Sequence, residues 1–205
     1  LSFLVPPRIL PKLEFKGPIP DEYRTVVIVP TMLSSTADVE AQFELLEIRA
    51  LANANESLQF AIVSDFLDAE TETKEDDEAI LEASRRQINR LNVQYHSKYG
   101  DKFLFFHRKR LWNNSEQKWM GWERKRGKIE EFNQLLKTND AQTSFIEIPD
   151  DFLASTKKIP VQYVITLDAD TKLPPGSAQM LIGTAAHPLN KAEINPEKNI
   201  VTKGY

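Results

Sequence analysis

The chain has 205 residues, 41% of them apolar and 27% charged, and a formal net charge of −4. That is room for one full α/β domain and too little for two. The absence of cysteine excludes a disulfide framework and any thiolate metal site, and no apolar stretch approaches the roughly 20 residues that span a bilayer. Leu1-Ser-Phe-Leu-Val-Pro6 has neither the basic start nor the long apolar core of a signal peptide. A chain that begins at Leu1 and stops at Tyr205 within patterned sequence is expected to be a piece of a larger protein.

Residues 1–20 carry Pro6, Pro7, Pro11, Pro18 and Pro20, which predicts an extended linker packed on a domain that fills residues 21–205. Thr25-Val-Val-Ile-Val29 reads as a buried strand stopped by Pro30. Ser35 then caps a helix, with Asp38 three residues on and Val39, Phe43, Leu46 and Ala50 along one face. Phe60-Ala-Ile-Val-Ser64 is a second strand, ending at Asp65. Eight acids against Lys74 crowd the run from Asp65 to Glu78. That run is expected to be a solvated lead-in to a helix buried through Leu81, Ser84, Ile88, Leu91 and Tyr95.

Phe103-Leu-Phe-Phe106 is the third strand, and beyond it the charge reverses, with eight Lys or Arg between His107 and Lys128. Such a segment invites an anionic ligand, with a basic surface stripe as the plain alternative. All three tryptophans, Trp112, Trp119 and Trp122, fall here with Asn113, Asn114 and Gly121 between them. They form either a local core or a surface on which a sugar or base stacks. Arg124 to Lys137 is predicted as a helix buried through Ile129, Phe132 and Leu136. Lys125, Arg126 and Lys128 in its first turns oppose the helix dipole; an anion gripped at that helix end would account for them. A short strand over Phe145-Ile-Glu-Ile148 precedes the fourth main strand.

That fourth strand, Tyr163-Val-Ile-Thr-Leu167, is uncharged and rich in β-branched residues, which predicts burial on both faces of a parallel sheet. Pro174 and Pro175 end regular structure beyond it. Strands alternating with helices predict an α/β, Rossmann-like domain with a mostly parallel central sheet flanked by helices. The strand delivers Asp168 and Asp170 where open α/β sheets bind ligands. These hard oxygen donors suit Mg²⁺ or Mn²⁺, held with waters and substrate phosphates. Three readings compete: two aspartates capping a turn, phosphotransfer of the haloacid dehalogenase type, and metal-assisted transfer from a sugar nucleotide. In the dehalogenase arrangement the D-x-D strand opens the domain, whereas here it comes fourth, which sets that reading aside.

Strand and Pro, strand and Asp, Arg126-Gly127-Lys128 before a helix containing Asn133, then Leu167-Asp168-Ala169-Asp170, together resemble the nucleotide-sugar half of a family 2 glycosyltransferase. Ser64-Asp-Phe-Leu-Asp-Ala69, Phe106-His-Arg108, Trp119-Met-Gly-Trp-Glu-Arg-Lys-Arg-Gly-Lys128 and Ala186-His-Pro-Leu-Asn190 bring the likeness closer, to the glycosyltransferase domain of cyclic β-1,2-glucan synthases, over roughly residues 20–205. The resemblance implies a glycosyltransferase A-type fold, UDP-glucose as donor, a glucan acceptor, a divalent metal, and inversion at the anomeric carbon. It implies further domains in a large parent at the bacterial inner membrane, working on the cytoplasmic face, and no nucleic acid partner. By the same resemblance Pro30 and Thr31 would lie at the uridine and Asp65 would accept from uracil or ribose. Lys125, Arg126 and Lys128 would offset the diphosphate, Asp168 would hold the ribose or metal, and Asp170 the metal. His187 stands as either an acceptor-side residue or a structural one, and Asp65 and Asp68 as either ligands or loop and helix caps. Inverting transfer also needs a general base. The acids after Asp170 are Glu193 and Glu197 alone, in a loop-like tract, so the base is expected beyond Tyr205 and the piece inactive by itself. A non-catalytic nucleotide-sugar-binding or interaction module is the alternative.

Overall fold

The computed structural model describes residues 9–140, 142–198 and 200–204. The first eight residues of the expected linker lie outside them; residues 9–20 run without helix or strand. In chain order the elements are β1 Thr25–Leu33, α1 Thr36–Ala52, β2 Leu58–Phe66 and α2 Asp77–Gln94, then a small hairpin of β3 His96–Ser97 and β4 Gly100–Asp101. There follow β5 Phe103–Arg108, a second hairpin of β6 Leu111–Asn113 and β7 Lys118–Met120, α3 Arg124–Thr138, β8 Phe145–Glu147 and α4 Phe152–Lys158. β9 Tyr163–Thr166, α5 Ser177–Ala186 and a hairpin of β10 Glu193–Asn195 and β11 Ile200–Lys203 complete the chain.

The central sheet runs β8-β5-β2-β1-β9. β5, β2, β1 and β9 are parallel and β8 is antiparallel to β5. This is the α/β, Rossmann-like architecture expected. Successive side chains of a strand alternate between faces, so the sheet splits its apolar residues between two cores. Val27, Val29, Phe60, Ile62 and Phe105 meet Phe43 and Leu46 of α1, Leu81 of α2 and Ile182 of α5 on one side. Val26, Ile28, Ala61, Val63, Leu104 and Phe106 meet Phe132 and Leu135 of α3 and Phe152 of α4 on the other. There the Phe106 ring lies 5.1–5.8 Å from those of Phe132, Phe145 and Phe152. Burying each such ring is worth about 1.5–3 kcal/mol.

Local signals explain the helix starts. Ser35 Oγ accepts from Asp38 N at 3.1 Å and Asp38 Oδ2 from Ser34 N at 3.0 Å, so the two residues cap α1 reciprocally. The linker's end is tied to α5: Leu13 N donates to the Gly183 carbonyl at 2.9 Å, an approach that a Cβ at Gly183, 2.3 Å from the Leu13 oxygen, would block.

Two expectations are corrected. β1 does not stop at Pro30 but continues to Leu33. The Arg24 and Ile28 carbonyls accept from Tyr163 and Leu167, so even-numbered residues of β1 turn their backbone toward β9, which pairs only as far as Ile28. Pro30's missing N–H therefore faces the unpaired side, where proline is tolerated. β9 in turn is not covered on both faces: it is the edge of the sheet among the described residues, with Tyr163 to Ile165 half-buried and Thr166 exposed. No helix among the described residues is long and apolar enough to cross a membrane.

Candidate functional site

Because β2 and β5 lie on one side of β1 and β9 on the other, the strand order reverses between β1 and β9. Open α/β sheets bind ligands in the crevice outside the carboxyl ends of the strands at such a point. Thr31 of β1 and Asp168 and Asp170 after β9 lie at these ends, with Asp65 of β2 and the start of α3 alongside.

At the start of α3 the two oppositely charged sequence runs meet. Asp65 and Arg108 are partners in the β2–β5 register, so they share a face. Arg108 donates to both Asp65 oxygens, Nε at 2.7 Å and Nη2 at 3.0 Å, and Lys128 Nζ lies 2.9 Å from Asp65 Oδ2. Lys128 also donates to the Thr31 carbonyl. Glu131, 3.4 Å from Arg108, balances this cluster at two charges of each sign. Burial lowers the Lys128 pKa, with Asp65 opposing that shift. Arg110 pairs with Asp77 at 2.6 and 3.0 Å, and Arg124 with Asp68 at 2.9 Å. The expectation of a solvated acidic lead-in is therefore corrected: Asp65 and Asp77 are buried, because the basic run supplies their counter-charges across the sheet end.

Close packing fixes two glycines. A Cβ on Gly121 would stand 2.5 Å from the Asp65 carboxylate, and one on Gly127 would stand 2.0 Å from the Trp122 carbonyl oxygen. The glycine of Arg126-Gly127-Lys128 thus lets the hairpin exit lie against α3. Arg126 is exposed, 3.4 Å from Glu123 and 3.7 Å from Glu130. Lys125 reaches Asp168 Oδ1; both side chains are more than half exposed, 51% and 59%. Asp170 is exposed, and its carboxylate makes no ion pair or hydrogen bond among the described residues.

The turn that carries Asp170 is held by a residue the sequence reading missed. Arg49 of α1 is 5% exposed and donates to the carbonyls on either side of Asp170, Ala169 at 2.5 Å and Thr171 at 3.1 Å. Burial lowers its pKa, and Asp170 raises it in part. One turn on, Asn53 donates to the Leu173 carbonyl at 3.1 Å and accepts from Ala178 N at 3.1 Å. The signal was an arginine and an asparagine four apart on the buried face of α1, beside Leu46 and Ala50.

His107 is fully buried against Phe66, with its Nδ1 2.7 Å from Ser64 Oγ. Burial pushes its pKa down to about 3, so it is neutral at physiological pH. His187 accepts from Leu189 N at 3.2 Å and caps the short helical turn Pro188–Asn190, the structural alternative. A cavity of about 420 Å³ beside Tyr95 and Lys102 opens at the opposite, amino end of the strands and meets none of the site residues.

As a cation site, Asp168 and Asp170 offer two exposed hard carboxylates, and no group of three or more His, Asp or Glu able to hold a metal occurs among the described residues. That donor set fits Mg²⁺, which keeps several waters and is completed by phosphate oxygens.

No protein-family model matches the chain. It is 38% identical over 194 residues, 94% of its length, to cyclic beta-(1,2)-glucan synthase NdvB of Rhizobium meliloti (strain 1021). The chain spans 7% of that protein's length. Over nearly all of its own length, then, this chain is a relative of one segment of a cyclic beta-(1,2)-glucan synthase, the family that its motifs resemble.

Proposed function

We propose that this chain is the donor-binding part of a glycosyltransferase A-type domain that, in its whole protein, transfers glucose from UDP-glucose to a growing β-1,2-glucan with inversion. The whole protein, in this reading, works at the cytoplasmic face of the bacterial inner membrane. The observation that carries the proposal is the juxtaposition at the strand-order reversal of an exposed cation, Lys125, with Asp168, beside an unpaired Asp170. Asp168 and Asp170 would hold Mg²⁺ or Mn²⁺. The cation, when bound, supplies Lewis-acid stabilisation of the departing diphosphate. Lys125 releases Asp168 to the cation and turns to the phosphates, an exchange of one exposed ion pair for another that costs little. Arg126 adds a second exposed cation to the same helix turn.

Lys128 serves by fixing α3 against Thr31 and Asp65, beneath the phosphate position. Asp65 keeps carboxylate lone pairs beyond those used by Arg108 and Lys128. At 2% exposure, a uracil or ribose donor reaches it only when the side chains over it shift. Pro30 and Thr31 then form the uridine end of the crevice.

Calorimetry with UDP-glucose and Mn²⁺ tests the reading. Binding that requires the metal and disappears in Asp170→Ala is the expected result. No binding by the folded chain would overturn the donor site and leave a non-catalytic interaction module.

A further inference from the structure

The hairpin of β6 and β7 exposes more aromatic surface than its own packing needs. Trp119 is half-buried, and the ring of Trp112 meets it edge-on at 5.8 Å and 60°. Trp112 Nε1 donates to Asn114 Oδ1 at 2.8 Å. Its ring is thus held at one edge and its donor is satisfied, yet it stays 44% exposed. Trp122, just past the hairpin, lies against Gly127 and stays 41% exposed, and its indole N–H has no partner among the described residues. Leu111, Trp112, Asn113, Asn114, Met120 and Trp122 enclose a pocket of about 250 Å³.

We propose that this pocket is a subsite for one glucosyl unit of the neutral glucan chain, an inference that rests on the transferase reading above and names where its acceptor sits. Three features favour a sugar ring. The lining carries no charge, so it offers nothing to a diphosphate. The volume is below the roughly 300–1,000 Å³ of clefts that hold drug-sized ligands, which suits a single ring. Indole faces beside amide groups match a pyranose, whose C–H face is apolar and whose rim carries hydroxyls; rings already held in place lose little entropy on binding. The pocket is also continuous with the donor site. The Trp122 carbonyl accepts from Arg108 Nη1 at 3.1 Å, the guanidinium that grips Asp65, and three residues later Lys125 meets Asp168.

The three indole N–H signals of the ¹⁵N-labelled chain, assigned by single Trp→Phe variants, provide the test. Titration with a linear β-1,2-linked gluco-oligosaccharide is expected to shift the Trp112 and Trp122 signals well beyond that of Trp119. Trp122→Ala and Trp112→Ala, each with an unfolding midpoint near that of the parent chain, should weaken binding about tenfold, the loss of one aromatic contact. UDP with Mg²⁺ should leave both indole signals in place while moving the backbone signals of Lys125 and Asp168. The proposal is overturned if the oligosaccharide moves neither indole, if both folded variants bind it unchanged, or if UDP alone produces the indole shifts, which would make the pocket a base-stacking site. Indoles that answer to glucan in a chain that ignores UDP would support the subsite and sink the donor reading alone.

Discussion

Asp65→Asn removes one negative charge from between two buried cations and keeps the side chain's size. Arg108, fully buried, retains Glu131 at 3.4 Å. Lys128, 1% exposed, is left without a carboxylate. Breaking a buried pair from one side costs about 3–5 kcal/mol. The chain can limit that cost by releasing the Lys128 proton. From its ordinary value of 10.5, neutralisation at pH 7 sets a ceiling of about 5 kcal/mol, at about 1.36 kcal/mol per unit. The expected loss is therefore about 3–5 kcal/mol in urea unfolding followed by circular dichroism. The pH dependence carries the sharper test. A lysine whose pKa is lower in the folded state leaves the unfolded chain holding more protons between the two values, so stability rises with pH across that interval. Removing Asp65 widens the interval, and the variant should recover much of its loss between pH 7 and pH 10. A loss below about 1 kcal/mol, flat across that range, would refute the account of Lys128 as a buried cation dependent on Asp65.

Arg49→Met should free the turn at Asp168 to Lys172: its amides should exchange hydrogen faster, and metal-dependent UDP affinity should fall about tenfold, since a charged hydrogen bond contributes about 1.5–3 kcal/mol. Unchanged exchange would show that the turn holds itself. His107, with a folded pKa of about 3 against 6.5 unfolded, should show ring proton shifts that do not titrate between pH 5 and 8. Because the unfolded chain binds the extra proton, stability should fall as pH drops below 6.5, by on the order of 4 kcal/mol at pH 3. A His107 midpoint near 6 would contradict its burial.

The strands and helices were legible because their apolar periods match the two faces they bury. Val39, Phe43 and Leu46 repeat with α1, and Phe103 to Phe106 sit between two cores. Pro30 misled because proline stops a strand only where its N–H is needed, and the short reach of β9 removes that need. β9 misled for a related reason: four uncharged residues read alike in a central strand and at an edge. Among the candidate site residues, the aspartates after β9 were visible as types and positions. The commitments of Asp65, Asp77 and Asp68 were not. Their partners Arg108, Arg110 and Arg124 lie 43, 33 and 56 residues away, and it is the register of β2 on β5 that brings Asp65 and Arg108 side by side. Read linearly, the two runs looked like an acidic surface and a basic one.

That mutual neutralisation governs how an anion reaches the molecule. Arg108, Arg110 and Lys128 are buried, and Arg124, Lys125 and Arg126 already face carboxylates. Only Lys109 and Lys118 of the eight cations stand without an ion pair among the described residues. A chain of net charge −4 organised in this way presents no broad positive field to draw a dianion from afar. Recognition of phosphate falls to contacts made within a Debye length, about 8–10 Å at ordinary salt. Encounter with such a ligand is then an undirected collision, and selectivity resides in what happens after contact, when Lys125 changes partners.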